Sequence, residues 1–196
     1  MSRRIHSTRL TAAAVLVLFS FAAVSCAKKE ETTQTTPAES TQTAAPALTD
    51  ANIAAIVVAA DKIDIDNGNL AQSKSKNAQV KAFAKQMVTD HTSVNQKATD
   101  LATKLSLTPE DNDTSRNLMA NANATRDSLN AKSGADFDKA YIDNEVSYHS
   151  AVIDMLDKTL IPSTQNAELK SLLESARPTF VAHLDHAKQV QAALSK

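Results

Sequence analysis

Four long segments of this chain repeat apolar residues at intervals of three and four, and an ionisable side chain interrupts each stripe. The first runs Ile53, Val57, Ala60, Asp64, Ala71; the second runs Val80, Ala84, Met87, His91, Val94, Ala98, Ala102, Leu105. The third carries Phe137, Tyr141, Glu145, Val152 and Leu156, with Ile142, Val146, His149 and Ile153 along one edge. The fourth carries Leu169, Leu172, Leu173, Ala176, Phe180, His183, Leu184, Ala187 and Val190. This spacing belongs to amphipathic helices that bury their apolar faces against one another. Only two glycines, Gly68 and Gly134, occur in 196 residues, tryptophan is absent, and no run alternates apolar and polar residues at strand length. An all-α bundle follows. An ionisable group on an inward stripe costs several kcal/mol unless it is paired, hydrogen-bonded or metal-bound. Asp64, His91, Glu145, His149 and His183 are therefore expected to form one buried polar cluster.

Turn signals organise the four helices. Thr49 is a good N-cap for the first, which ends near Ser75, and Asn77 opens the second. Thr108-Pro109 reads as the start of a polar segment reaching Lys132, with Leu118, Met119, Ala122 and Leu129 as its apolar anchors; Ser133-Gly134 breaks it. The third bundle helix spans about 135–160 and stops at Ile161-Pro162-Ser163, and the fourth spans about 164–194, with Pro178 inside it. Short links make two antiparallel hairpins, and one long, partly helical crossover joins them. That is the arrangement of ferritin-like up-down four-helix bundles. Counted from the hairpin turns at 1.5 Å per residue, Asp64 and His91 differ in height by about 6 Å and Glu145 and His183 by about 3 Å.

The amino terminus addresses the compartment. Arg3, Arg4 and Arg9 precede an apolar stretch from Leu10 to Val24, and Ala23-Val24-Ser25-Cys26 closes it. The pattern resembles a bacterial lipoprotein signal over residues 1–25, in which Cys26 is acylated and becomes the new terminus. Cys26 is the sole cysteine, so the mature chain has no disulfide and no thiolate ligand. Residues 26–47, rich in Thr, Gln, Ser, Pro, Glu and Ala, are expected to be a disordered tether, leaving 48–196 as one bundle domain. Lys29-Glu30-Glu31 is similar to a surface-export signal of some Bacteroidetes lipoproteins. The expected location is the periplasmic side of the outer membrane, held there by lipid, with surface display as the alternative. A net charge of -1 without a basic stripe excludes nucleic acid as a partner. The sequence points to no particular protein partner.

Phe83-Ala84 with Met87-Val88 and Asp90-His91, then Phe137-Asp138 through Tyr141-Ile142 with His149, then Pro178 followed by His183-Leu184 and Ala187 carry a resemblance. Together they resemble a bacterial envelope family catalogued as domain of unknown function 4142, whose members are labelled predicted outer membrane proteins and regarded as ferritin-like. The resemblance implies a fold and leaves the activity open. Where the family has Glu in the first helix this chain has Asp64 and Asp66, and Asp66 points away from the stripe. The paired Glu-x-x-His motifs of ferritin di-iron centres are absent: Met87 lies four residues before His91 and Phe180 three before His183. Oxidative di-iron chemistry is not expected.

Three readings of the cluster stand. His91, His149 and His183 with a carboxylate from Glu145 or Asp64 suit one imidazole-preferring ion: zinc, copper or iron. Alternatively the same groups hydrogen-bond one another and fix helix register. A metal-dependent enzyme is third, although no nucleophile or phosphate loop accompanies the cluster. Asp90, at the flank of its helix, either orients His91 from behind or has no role. His186 reads as a surface histidine, Met87 and Met155 as gap-filling core, and Tyr141 and Tyr148 as core rings whose hydroxyls find partners.

Overall fold

The structure is a computed structural model that describes residues 47–196. Cys26, the expected signal sequence, most of the expected tether and Lys29-Glu30-Glu31 lie outside the described residues. Five helices account for the fold, and the described residues contain no strand: α1 (Asp50–Lys74), α2 (Ala78–Lys104), α3 (Asp113–Asn130), α4 (Gly134–Met155) and α5 (Ala167–Leu194). A π-helical turn, Leu156–Leu160, and a last helical turn, Ile161–Ser163, extend α4. In a regular helix the ring of Pro162 would meet the carbonyl four residues back. The wider turn relieves that clash. No helix among the described residues is long and apolar enough to cross a membrane.

Thr49 caps α1 as its sequence predicts: its hydroxyl accepts from Asn52 N at 3.1 Å, and Asn52 Oδ1 accepts from Thr49 N at 3.2 Å. In the first turn of α1, the Asp50 carboxylate accepts from the backbone N–H groups of Gln165 and Asn166, both at 2.9 Å. This fastens the start of α1 to the turn between α4 and α5. α5 starts later than 164, where Asn166 caps it by accepting from Glu168 N and Leu169 N. α2 ends in a Schellman motif, with Leu107 N donating to Ala102 O at 2.8 Å and Ser106 N to Thr103 O at 3.1 Å. Ser106 occupies the left-handed position of that motif at φ 53°.

The crossover helix starts later than Thr108-Pro109 suggests. Residues 107–112 are pinned to the beginning of α1: Glu110 N donates to Ala51 O at 3.0 Å, and the side-chain amides of Asn52 and Asn112 donate to Glu110 O and Asn52 O, both at 3.1 Å. The pinning delays the helix until Asn112, which caps α3 through Thr114 N and Ser115 N. At the other end the Lys74 ammonium donates to Leu129 O at 3.1 Å and Asn130 O at 2.7 Å, neutralising the last carbonyls of α3. α3 therefore runs alongside α1 from start to finish.

Two apolar clusters fill the bundle. One gathers Ile53, Ile56 and Val57 of α1 with Val94 and Ala98 of α2, Val152 of α4, Leu156 and Leu160 of its π-helical turn, and Leu169, Leu173 and Phe180 of α5. The other gathers Ala71 of α1 with Val80, Phe83 and Met87 of α2, Phe137, Tyr141 and Ile142 of α4, and Ala187 and Val190 of α5. Starts of α1 and α5 thus meet ends of α2 and α4, so α1 and α5 run one way and α2 and α4 the other. The expected all-α, up-down bundle with one long crossover is the fold observed. α5 continues unbroken through Pro178.

α1 departs from the single-stripe expectation. Ile53, Ala54, Ala55, Ile56 and Val57 are buried in succession, because α3 covers the side of α1 that α2 and α4 leave open. Gly68 lets α1 lie close against α2: a Cβ there would stand 2.8 Å from Val88 Cγ2 and 3.0 Å from the Ala84 carbonyl oxygen.

Candidate metal centre

Between the two apolar clusters lies a polar layer to which four helices contribute. α1 supplies Asp61 and Asp64, α2 supplies His91, α4 supplies Glu145 and His149, and α5 supplies His183; none is more than 3% exposed. All five residues expected from the sequence meet there. Phe180 stacks on the His91 ring at 5.2 Å and closes one side of the layer. The three imidazole centroids are 5.1 to 5.6 Å apart.

Each imidazole is held by one nitrogen. His91 Nδ1 lies 2.8 Å from Asp61 Oδ1, His149 Nδ1 lies 3.0 Å from the Glu145 backbone carbonyl, and His183 Nε2 lies 2.9 Å from Asp90 Oδ2. An oxygen acceptor places the ring proton on the nitrogen it touches, which leaves a lone pair on the other. Those other nitrogens, His91 Nε2, His149 Nε2 and His183 Nδ1, are buried and make no hydrogen bond. His91, His149 and His183 each bring a ligand atom within 4.8 Å of the others, and Asp64, Glu145 and His149 do the same. Asp61 Oδ2 is likewise without a partner, and the Asp64 and Glu145 carboxyls find only each other and Asn144. His91 Nε2 stands 3.4 Å from Asp64 Oδ2, too far for a strong hydrogen bond. Oriented imidazoles backed by oxygen acceptors, with His149 shared between the imidazole group and the carboxyls of Asp64 and Glu145, offer the donor types of a nitrogen-and-oxygen metal site. The residues could hold a metal ion.

Burial drives every resolved titration in the layer away from charge. It raises Glu145 to about 8, and raises Asp64 well above the usual carboxylate range with help from neighbouring Glu145 and Asp61. Asp61 is also raised by burial, against the pull of His91. Burial and the adjacent imidazoles lower His149 to about 3, and burial lowers His183 against the pull of Asp90. Near neutral pH His149 and His183 are thus neutral, the form that ligates. A divalent cation would supply the positive charge that lets the carboxyls ionise.

Two assignments change. Asp90 orients His183 on the neighbouring helix and not His91, because successive residues of a helix point about 100° apart and Asp90 faces α5. His91 is oriented by Asp61, which the sequence reading missed. Its signal was present: Asp61 precedes Asp64 by three residues, the spacing that shares one helix face. His186 is half-buried, with Nδ1 2.9 Å from Gln86 Oε1 and its ring edge-on to Phe83. Tyr148 finds its expected partner by donating to Ala60 O at 3.2 Å, whereas the buried Tyr141 hydroxyl has none.

Comparison with curated proteins gives no match. Among solved structures the chain is similar to CopM in the Cu(II)-bound form, with a TM-score of 0.59 and 15% sequence identity, over 76% of this chain and 99% of that one. At that identity the likeness is one of fold. The sequence matches the family described as Domain of unknown function (DUF4142) over residues 34–190. With most of its length inside that match, the chain belongs to the Domain of unknown function (DUF4142) family.

Proposed function

We propose that this protein is a non-enzymatic metal-binding bundle of the bacterial envelope. One transition-metal ion is held by His91, His149 and His183 with a carboxylate from Glu145 or Asp64. The lipoprotein-like signal exports the chain, and acylated Cys26 tethers it to the outer membrane through the segment 26–47. The observation that carries the metal reading is the convergence of three buried imidazoles from three helices, each anchored by one nitrogen and unpartnered at the other. A network built only to fix helix register satisfies its own donors and acceptors, and three imidazole nitrogens of this layer have no donor. Catalysis would require a substrate to reach groups at most 3% exposed. A similar bundle solved with Cu(II) bound makes copper the first ion to try, ahead of zinc and iron.

Metal content of the protein purified from copper- and zinc-replete medium tests this, beside a His149→Ala/His183→Ala variant. The proposal expects about one ion per chain, lost in the variant. A metal-free wild type would overturn it. For the anchor, Cys26→Ala should move the protein from the membrane fraction to the soluble one. Unchanged membrane association would refute acylation at that residue.

A further inference from the structure

A buried metal site needs a way in. The carboxylates of Asp61, Asp64 and Glu145 belong to residues at most 3% exposed. The Asp90 side chain is different: it is 35% exposed and yet lies 2.9 Å from Nε2 of His183, whose side chain is fully buried. It sits on the seam where α2 packs against α5. On the next rung of that seam His186 meets Gln86 at 2.9 Å, three residues beyond His183 and four before Asp90. The His183 ring therefore spans from a solvent-touching carboxylate to the inside of the polar layer, where its Nδ1 is unpartnered.

Resting on the metal-binding reading above, we propose that Asp90 is the entry port, capturing the cation at the α2–α5 seam and passing it inward through His183. A hydrated dication loses water stepwise, and an exposed anionic oxygen is the ligand that replaces the first water at least cost. Its charge also raises the local cation concentration and makes capture sensitive to salt. His183 donates to Asp90 only while the carboxylate is free. A cation on that oxygen displaces the Nε2–H hydrogen bond, the proton staying on Nε2, and frees the ring to turn so that Nδ1, which carries the lone pair, takes up the cation. The rival entrance is the groove of about 260 Å³ beneath α3, lined by Ile63, Asn67, Leu118, Thr125, Asn144 and Tyr148. Tyr148 meets the His149 ring edge-on and Asn144 adjoins Glu145, but no residue of that groove is an exposed carboxylate hydrogen-bonded to a cluster imidazole, as Asp90 is.

The test is stopped-flow uptake of Cu(II) and Zn(II) by the whole protein, with release followed into excess chelator. Asp90→Asn, which keeps the shape, and Asp90→Leu should each lower the association rate constant at least tenfold. Both should also abolish its dependence on ionic strength, and Thr125→Leu in the groove should load at the wild-type rate. Loss of orientation alone would speed release and leave capture unchanged. Wild-type association rates in both Asp90 variants would therefore overturn the port, as would slowed loading confined to Thr125→Leu. No uptake of either ion by wild type would overturn the metal reading and the port with it.

Discussion

Replacing Glu145 by leucine should make the metal-free protein more stable. Glu145 is fully buried against Asp64 and Asn144, and burial, outweighing their hydrogen bonds, raises its pKa to about 8 against an ordinary 4.5. The folded chain then holds this proton more tightly than the unfolded chain. The contribution of Glu145 is fully favourable below pH 4.5 and is lost as pH rises through about 8. At about 1.4 kcal/mol per pH unit, the loss reaches roughly 3 kcal/mol at pH 7. Leucine removes the titration and fills a similar volume, at a shape cost of about 1 kcal/mol. The net gain is about 2 kcal/mol, or roughly 4–8 °C in Tm for a domain of this size. Below pH 6.5 His149 tilts the curve the other way. Its folded value of about 3 makes stability fall as pH drops. The diagnostic window is therefore pH 6.5 to 8. Urea unfolding in the presence of chelator should give a wild-type stability that declines across this window and a Glu145→Leu stability that is higher and flatter. A variant less stable than wild type by 2 kcal/mol or more, or an unchanged slope, would refute the reasoning.

Three further outcomes follow from the packing. His91→Ala leaves Asp61 buried without its partner and should cost about 2–4 kcal/mol, against under 1 for His186→Ala at the half-buried seam; equal melting temperatures would contradict a buried cluster. Gly68→Ala should lose about 1–3 kcal/mol despite the better helix propensity of alanine, because the new methyl meets Val88 and the Ala84 carbonyl; chemical denaturation would reveal the sign. Ser106→Gly should gain about 0.5–1 kcal/mol by relieving the left-handed backbone at the end of α2, and a loss in the same assay would mean the serine makes a contact worth more than that strain.

What the sequence disclosed follows from how each helix is covered. α2 buries one face, so its stripe from Val80 to Ala102, with His91 at mid-length, is readable from periodicity alone. α1 is wrapped on both sides, its inward arc is wider than a stripe, and the same breadth hid Asp61 beside Asp64. The late start of α3 depends on hydrogen bonds between Glu110, Asn112 and the first turn of α1, partners some 60 positions away that no local cap signal contains. Asp90 is a similar case. Its helix position could be read, but the choice between His91 and His183 is made by the neighbouring helix. The five inward ionisable residues were legible because a charged group on an apolar stripe is conspicuous; the unpartnered nitrogens that favour a metal required coordinates.

The central claim is that one ion sits among His91, His149 and His183. Anomalous scattering from a crystal of the copper- or zinc-loaded protein tests it most directly. The account predicts a single peak inside the bundle, with ring nitrogens of all three histidines at about 2.0–2.1 Å and a carboxylate oxygen of Glu145 or Asp64 completing the shell. A peak confined to the surface, or loaded crystals with no peak in the polar layer, would contradict it.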